Sequence, residues 1–139
     1  MLNIPHLIST IKLLPKILDQ VDKQIVTDVC SVKSTICERI KYHSNRSNFV
    51  ASHPMAGTEN SGPWAAQSGL FDSKAVIFCD AEYSDEESLK LVQKMYDFLN
   101  MRPLFMNSYN HDVHVAYVSH ISHISSFALA LTVLDKEKN

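Results

Sequence analysis

The chain has 139 residues, which fits one domain, with 45% apolar and 20% charged residues, an ordinary balance for a globular protein. Its formal net charge is −2 and its basic residues are scattered, so no polyanion-binding surface is implied and nucleic-acid binding has no positive support. The three cysteines form no CxxC pair, and an odd count argues against a disulfide framework and for a reducing, cytoplasmic setting. There is neither an apolar run of membrane-spanning length nor a signal-peptide pattern at the start.

Ile4, Leu7, Ile8, Ile11, Leu14, Leu18 and Val21 recur at helical spacing, with Lys12, Lys16 and Asp19 between them. The first helix therefore buries one face, and Pro15 is expected to kink or split it. Gln24 to Val29 reads as a strand. It leads through Cys30 into a helix that starts with Ser31 as N-cap and runs to about His43. Ser44 to Asn48 is a polar turn, and Phe49 to Ser52 is a second strand that ends at His53.

Gly57 to Phe71 reads as a long loop with one helical turn near Pro63 to Ala66. Lys74 to Cys79 is a third strand. Asp85 to Ser88 opens a helix whose early acids suit its dipole and which carries Leu89, Val92, Met95 and Leu99 on one face. Arg102 to Met106 is a fourth strand. From about Asn110 to Leu134 a long helix carries Ala116, His120, His123, Phe127 and Ala130 along one stripe, and its apolar end is expected to pack into another domain or subunit. The alternation of helices and strands predicts an α/β sheet with parallel neighbours.

The chemistry gathers at strand ends. His53 ends a strand and is followed by Pro54, Gly57, Thr58 and Glu59 in one loop. Ligands of open α/β sheets bind beyond the carboxyl ends of strands. An imidazole there is placed for proton transfer, because its unperturbed pKa is about 6.5. Ser31 and Lys33 read either as a cap and a solvated lysine or as an anion site at a helix start. His111, His114, His120 and His123 form the densest histidine cluster. Without HExxH and with few carboxylates nearby, hydrogen bonding is favoured over zinc. Cys30 reads as a small packed residue. No GxGxxG or GxxxxGK[ST] loop occurs among the three glycines.

Four segments together resemble the prephenate dehydrogenase family: Asp28-Val29-Cys30-Ser31-Val32-Lys33, His53-Pro54-Met55-Ala56-Gly57-Thr58-Glu59-Asn60-Ser61-Gly62-Pro63, His111-Asp112, and Ser119-His120-Ile121-Ser122-His123. The resemblance runs from near residue 4 to near residue 134. It implies the second half of a Rossmann-like, mostly parallel sheet domain (residues 1–108), followed by the first long helix of a helical dimerisation domain (residues 109–139).

The implied activity is NAD-dependent oxidative decarboxylation of prephenate to 4-hydroxyphenylpyruvate, with NADP possible as cofactor and a homodimer as the assembly. The resemblance puts the base on His53, substrate contacts on Ser31, Thr58, Glu59, His120 and His123, and cofactor contacts on Ser31 and Lys33. It implies no metal. Arogenate dehydrogenase is the nearest alternative, and a truncated noncatalytic binding module is another. Family members open on a glycine-rich loop, and their later helical region supplies an arginine for a substrate carboxylate. The 139 residues are therefore expected to be a middle piece that by itself binds NAD weakly or not at all.

Overall fold

A computed structural model describes residues 7–57 and 62–136. Helix α1 (Leu7–Leu18) precedes strand β1 (Val26–Asp28), helix α2 (Ser34–Ile40) and strand β2 (Phe49–Pro54). After a long connection come β3 (Ala75–Cys79), α3 (Glu86–Phe98) and β4 (Arg102–Met106). The chain then runs through α4 (Ser108–Val115), a π-helical turn (Ala116–Ile121) and α5 (Ser122–Lys136).

The four strands form one sheet in the order β1-β2-β3-β4. β1 and β2 are parallel, as are β3 and β4, because each pair is joined through a helix. β2 and β3 are antiparallel, with His53 opposite Ile77. The parallel sheet expected from the alternation thus holds for two pairs and reverses at the centre, where the described residues between the strands hold only a short 3-10 turn (Pro63–Ala65) and no α-helix.

Alternation along the strands splits the core in two. Phe49, Ala51, Ile77 and Cys79 face Leu14, Leu18, Ile36, Cys37 and Ile40 of α1 and α2. Val50, Val76 and Phe78 face Val92 and Tyr96 of α3. The result is a three-layer helix–sheet–helix arrangement. In β2 the even-numbered Ser52 joins the α3 side, where its hydroxyl meets the Tyr96 hydroxyl at 2.8 Å. His53, odd-numbered, follows Phe49 and Ala51 toward the α1/α2 side.

Three local expectations are corrected. α1 continues as one helix through Pro15. The proline removes only its own N–H from the ladder. The turn of residues 44–48 holds the end of that helix, since the Asn45 amide donates to the Leu18 and Val21 carbonyls at 2.9 and 3.0 Å. α2 is shorter than expected at both ends: Ser31 lies exposed in the turn after β1, and the helix begins at Ser34. The last helix is not uniform, because the π-helical turn interrupts it.

Candidate active site

The parallel pair β1 and β2 bring their carboxyl ends to the same rim of the sheet. His53 is the penultimate residue of β2, half-buried. Its Nδ1 lies 2.9 Å from His111 Nε2, and the two rings meet edge to face. His111 comes from α4 and is fully buried. The other ring nitrogen of His111, Nδ1, lies 2.8 Å from Asp112 Oδ1.

Asp112 also occupies the start of α2. Its two carboxylate oxygens accept the Lys33 and Ser34 backbone N–H groups, each at 2.8 Å. Burial pushes this carboxyl up, but the bonds from Ser34, Lys33 and His111 outweigh burial and hold it below the usual carboxylate range. It is ionised at neutral pH. The free amides of a helix start normally attract an outside anion; here an aspartate of the same chain takes them.

Lys33 is the main correction among the expected site residues. Its ammonium is fully buried and pairs with Asp28 Oδ2 at 2.6 Å. It is neither a solvated lysine nor an added charge on an open anion site. Asp28 further accepts from the Cys30 and Ser52 backbone N–H groups, at 3.1 and 3.4 Å. The pair ties the turn after β1 to the end of β2, directly beneath His53.

Those surroundings set the protonation of His53. Burial, the Lys33 ammonium and the His111 ring push its pKa down to about 4, against an opposing pull from Asp112. At neutral pH the imidazole is uncharged and can accept a proton.

Ser31 lies exposed on the same rim, in the turn after β1. Thr58 and Glu59 fall outside the described residues. The backbone of His120 belongs to the π-helical turn and that of His123 to α5, and their side chains are outside the description. Both nitrogens of His111 are committed to hydrogen bonds, and His114 Nδ1 donates to the Asn110 carbonyl at 2.7 Å. Cys30 packs against the α1/α2 core, with its Sγ 3.4 Å from the Thr10 hydroxyl.

Sequence reasoning gave His111 a hydrogen-bonding role in a histidine cluster, but it gave Asp112 none and connected neither to His53. It missed the burial of Asp28 with Lys33 altogether. The adjacency of a histidine and an aspartate just beyond a strand was the available signal for the first. Nothing in the local pattern distinguished Lys33 from a surface lysine.

Two βαβ units, with a neutral imidazole at the carboxyl rim between them, define a Rossmann-like domain of the nucleotide-binding class. The chain belongs to the prephenate dehydrogenase family: residues 2–103 match the family model described as prephenate dehydrogenase, nucleotide-binding domain. It is 29% identical over 88 residues to cyclohexadienyl dehydrogenase of Zymomonas mobilis, covering 63% of this chain and 30% of that protein. It is 30% identical over 97 residues to prephenate dehydrogenase of Lactococcus lactis, covering 67% of this chain and 27% of that one.

Among solved structures it resembles prephenate dehydrogenase from A. aeolicus in complex with hydroxyphenyl propionate and NAD+. The TM-score is 0.71 at 28% identity, over 90% of this chain and 45% of that one. It also resembles Synechocystis arogenate dehydrogenase, with a TM-score of 0.71 at 31% identity, over 87% of this chain and 43% of that one. The chain therefore spans under a third of these curated relatives and under half of these structures.

Proposed function

We propose that this chain carries the proton-transfer half of the active site of an NAD-dependent dehydrogenase that converts prephenate to 4-hydroxyphenylpyruvate and carbon dioxide. The observation that carries the reading is the neutral, half-buried His53 at the carboxyl rim, with its Nδ1 held by His111. His53 accepts the proton of the ring hydroxyl. The carbon that bears the hydroxyl gives up its hydride, and loss of the carboxylate leaves an aromatic ring.

When bound, NAD supplies the hydride acceptor. The residues present fit its reactive end, because Ser31 and His53 share the rim where β1 and β2 finish. They include no glycine-rich loop for its pyrophosphate. Ser31 contacts cofactor and substrate in this reading. Thr58, Glu59, His120 and His123 complete the substrate side, and Lys33 acts from beneath, through Asp28 and its field on His53, rather than by touching the cofactor. Residues 109–139 begin the helical dimerisation domain, and a homodimer in the cytoplasm is the assembly proposed.

The test is His53→Asn in the protein that contains these residues. Base catalysis of this kind is worth roughly 10²–10⁴-fold, so kcat should fall by that range while the circular dichroism spectrum is unchanged. Turnover equal to wild type would remove His53 from the reaction. Assaying prephenate and arogenate side by side sets the substrate.

A further inference from the structure

The proposed base has a difficulty that its own surroundings resolve. An imidazole held neutral by burial and by a lysine beneath it resists the charge that a base must take on. The hydrogen-bond chain behind it offers that charge another place.

We propose that His53, His111 and Asp112 form a two-ring proton relay, in which uptake of a proton at His53 Nε2 is matched by transfer of the His53 Nδ1 proton to His111 Nε2. The positive charge then rests on His111, against the Asp112 carboxylate. This rests on the reading of His53 as the base and adds His111 and Asp112 as positioning residues.

The donor and acceptor roles follow from one fixed point. An ionised carboxylate only accepts, so His111 Nδ1 must carry a proton toward Asp112 at 2.8 Å. With His111 neutral, its Nε2 is then a bare acceptor. The 2.9 Å contact to His53 requires one proton between the two nitrogens. That proton sits on His53 Nδ1, which leaves His53 Nε2 bare as the accepting atom.

The balance closes without another reactant. The substrate O–H bond breaks and an N–H bond forms at His53 Nε2. The N–H bond at His53 Nδ1 breaks and one forms at His111 Nε2. Asp112 stays unprotonated, as the carboxylate of a catalytic triad does.

Of the charges around the pair, Lys33 opposes a proton on His53, and Asp112 draws charge toward both rings but touches only His111. From α2 and β1, Lys33 faces His53 but is matched by Asp28. From β3, burial raises the Cys79 thiol to about 12, so it is uncharged. From α4, Asp112 touches His111 and not His53. A buried charge is tolerated where it is paired and hydrogen-bonded, and His111 is the ring with that partner.

The experiment is a pH titration of the chain labelled with ¹⁵N-histidine, followed by long-range ¹H–¹⁵N correlation. At neutral pH, His53 should show a bare Nε2 and a protonated Nδ1. As acid is added, His111 should become imidazolium while His53 stays neutral and switches its proton from Nδ1 to Nε2. A merely structural pair of rings would not show that switch.

His111→Gln keeps an amide that can accept from His53 and donate to Asp112 but cannot take the proton. The switch should vanish, and kcat in the protein containing these residues should fall on the order of 10² with KM unchanged. Direct protonation of wild-type His53 with His111 neutral would overturn the relay. So would a His53 that carries its proton on Nε2 at neutral pH. Either result leaves the His53→Asn assay to judge the base itself. Wild-type spectra decide the matter even if the glutamine variant does not fold.

Discussion

A single imidazole shows how much its neighbours decide. His53 begins with an ordinary pKa near 6.5 and is pushed down to about 4, first by burial, then by Lys33 and His111. Between those two values the unfolded chain binds a proton that the folded chain refuses, so stability falls as pH drops through that window and is fully present above it. Urea midpoints measured across the window should decline for wild type and decline less for His53→Gln. An identical decline in both would assign the effect to another group.

Lys33 makes the sharper prediction. Removing one member of a buried ion pair strands the other, at a cost of about 3–5 kcal/mol. Lys33→Met should lose stability of that size in urea unfolding, and Asp28→Asn added to it should recover most of the loss. An unstable double variant would show that the pair itself, not the stranded carboxylate, matters. His53 was legible in the sequence because proline, glycine and polar residues follow it. The Lys33–Asp28 pair was not, since burial is decided by helices packed from elsewhere in the chain.

At the scale of elements, local signals marked most of the boundaries that local chemistry determines. α3 starts where its acids predicted, with the Asp85 side chain accepting from the Ser88 N–H at 3.0 Å. β4 spans the residues expected of it. α2 departed because its cap is not local. Asp112 in α4 does the work assigned to Ser31, and no window of neighbouring residues contains that fact.

The same contact ties α4 to the start of α2. Replacing Asp112 by Ala leaves the Lys33 and Ser34 amides without acceptors, a loss of about 1–3 kcal/mol. Hydrogen exchange should show those two amides deprotected well before the core of β2. Equal protection in the variant would mean that α2 does not depend on Asp112 for its start.

For the molecule as a whole, the described residues bury one sheet between helices and leave another surface open. Tyr117, Ile121, Ile124 and Phe127 recur at helical spacing from the π-helical turn into α5, and Ile124 and Phe127 are 66% and 69% exposed. β4 adds Leu104 and Phe105, each about half exposed, at the edge of the sheet. An exposed apolar helix stripe of this kind marks an interaction site, and an open strand edge adds a template for pairing.

The apolar end of the last helix was legible as a stripe seeking a partner. Which strand lies at the sheet edge was not, because strand order is a property of the assembled fold. The chain at high concentration is therefore expected to self-associate, with sedimentation velocity showing mass rise with concentration. Ile124→Lys combined with Phe127→Lys should hold it monomeric. Because both side chains are exposed already, each change should move folding stability by no more than about 0.5 kcal/mol. If the double variant still associates, the contact lies on β4, and Phe105→Lys is then the substitution that should release it.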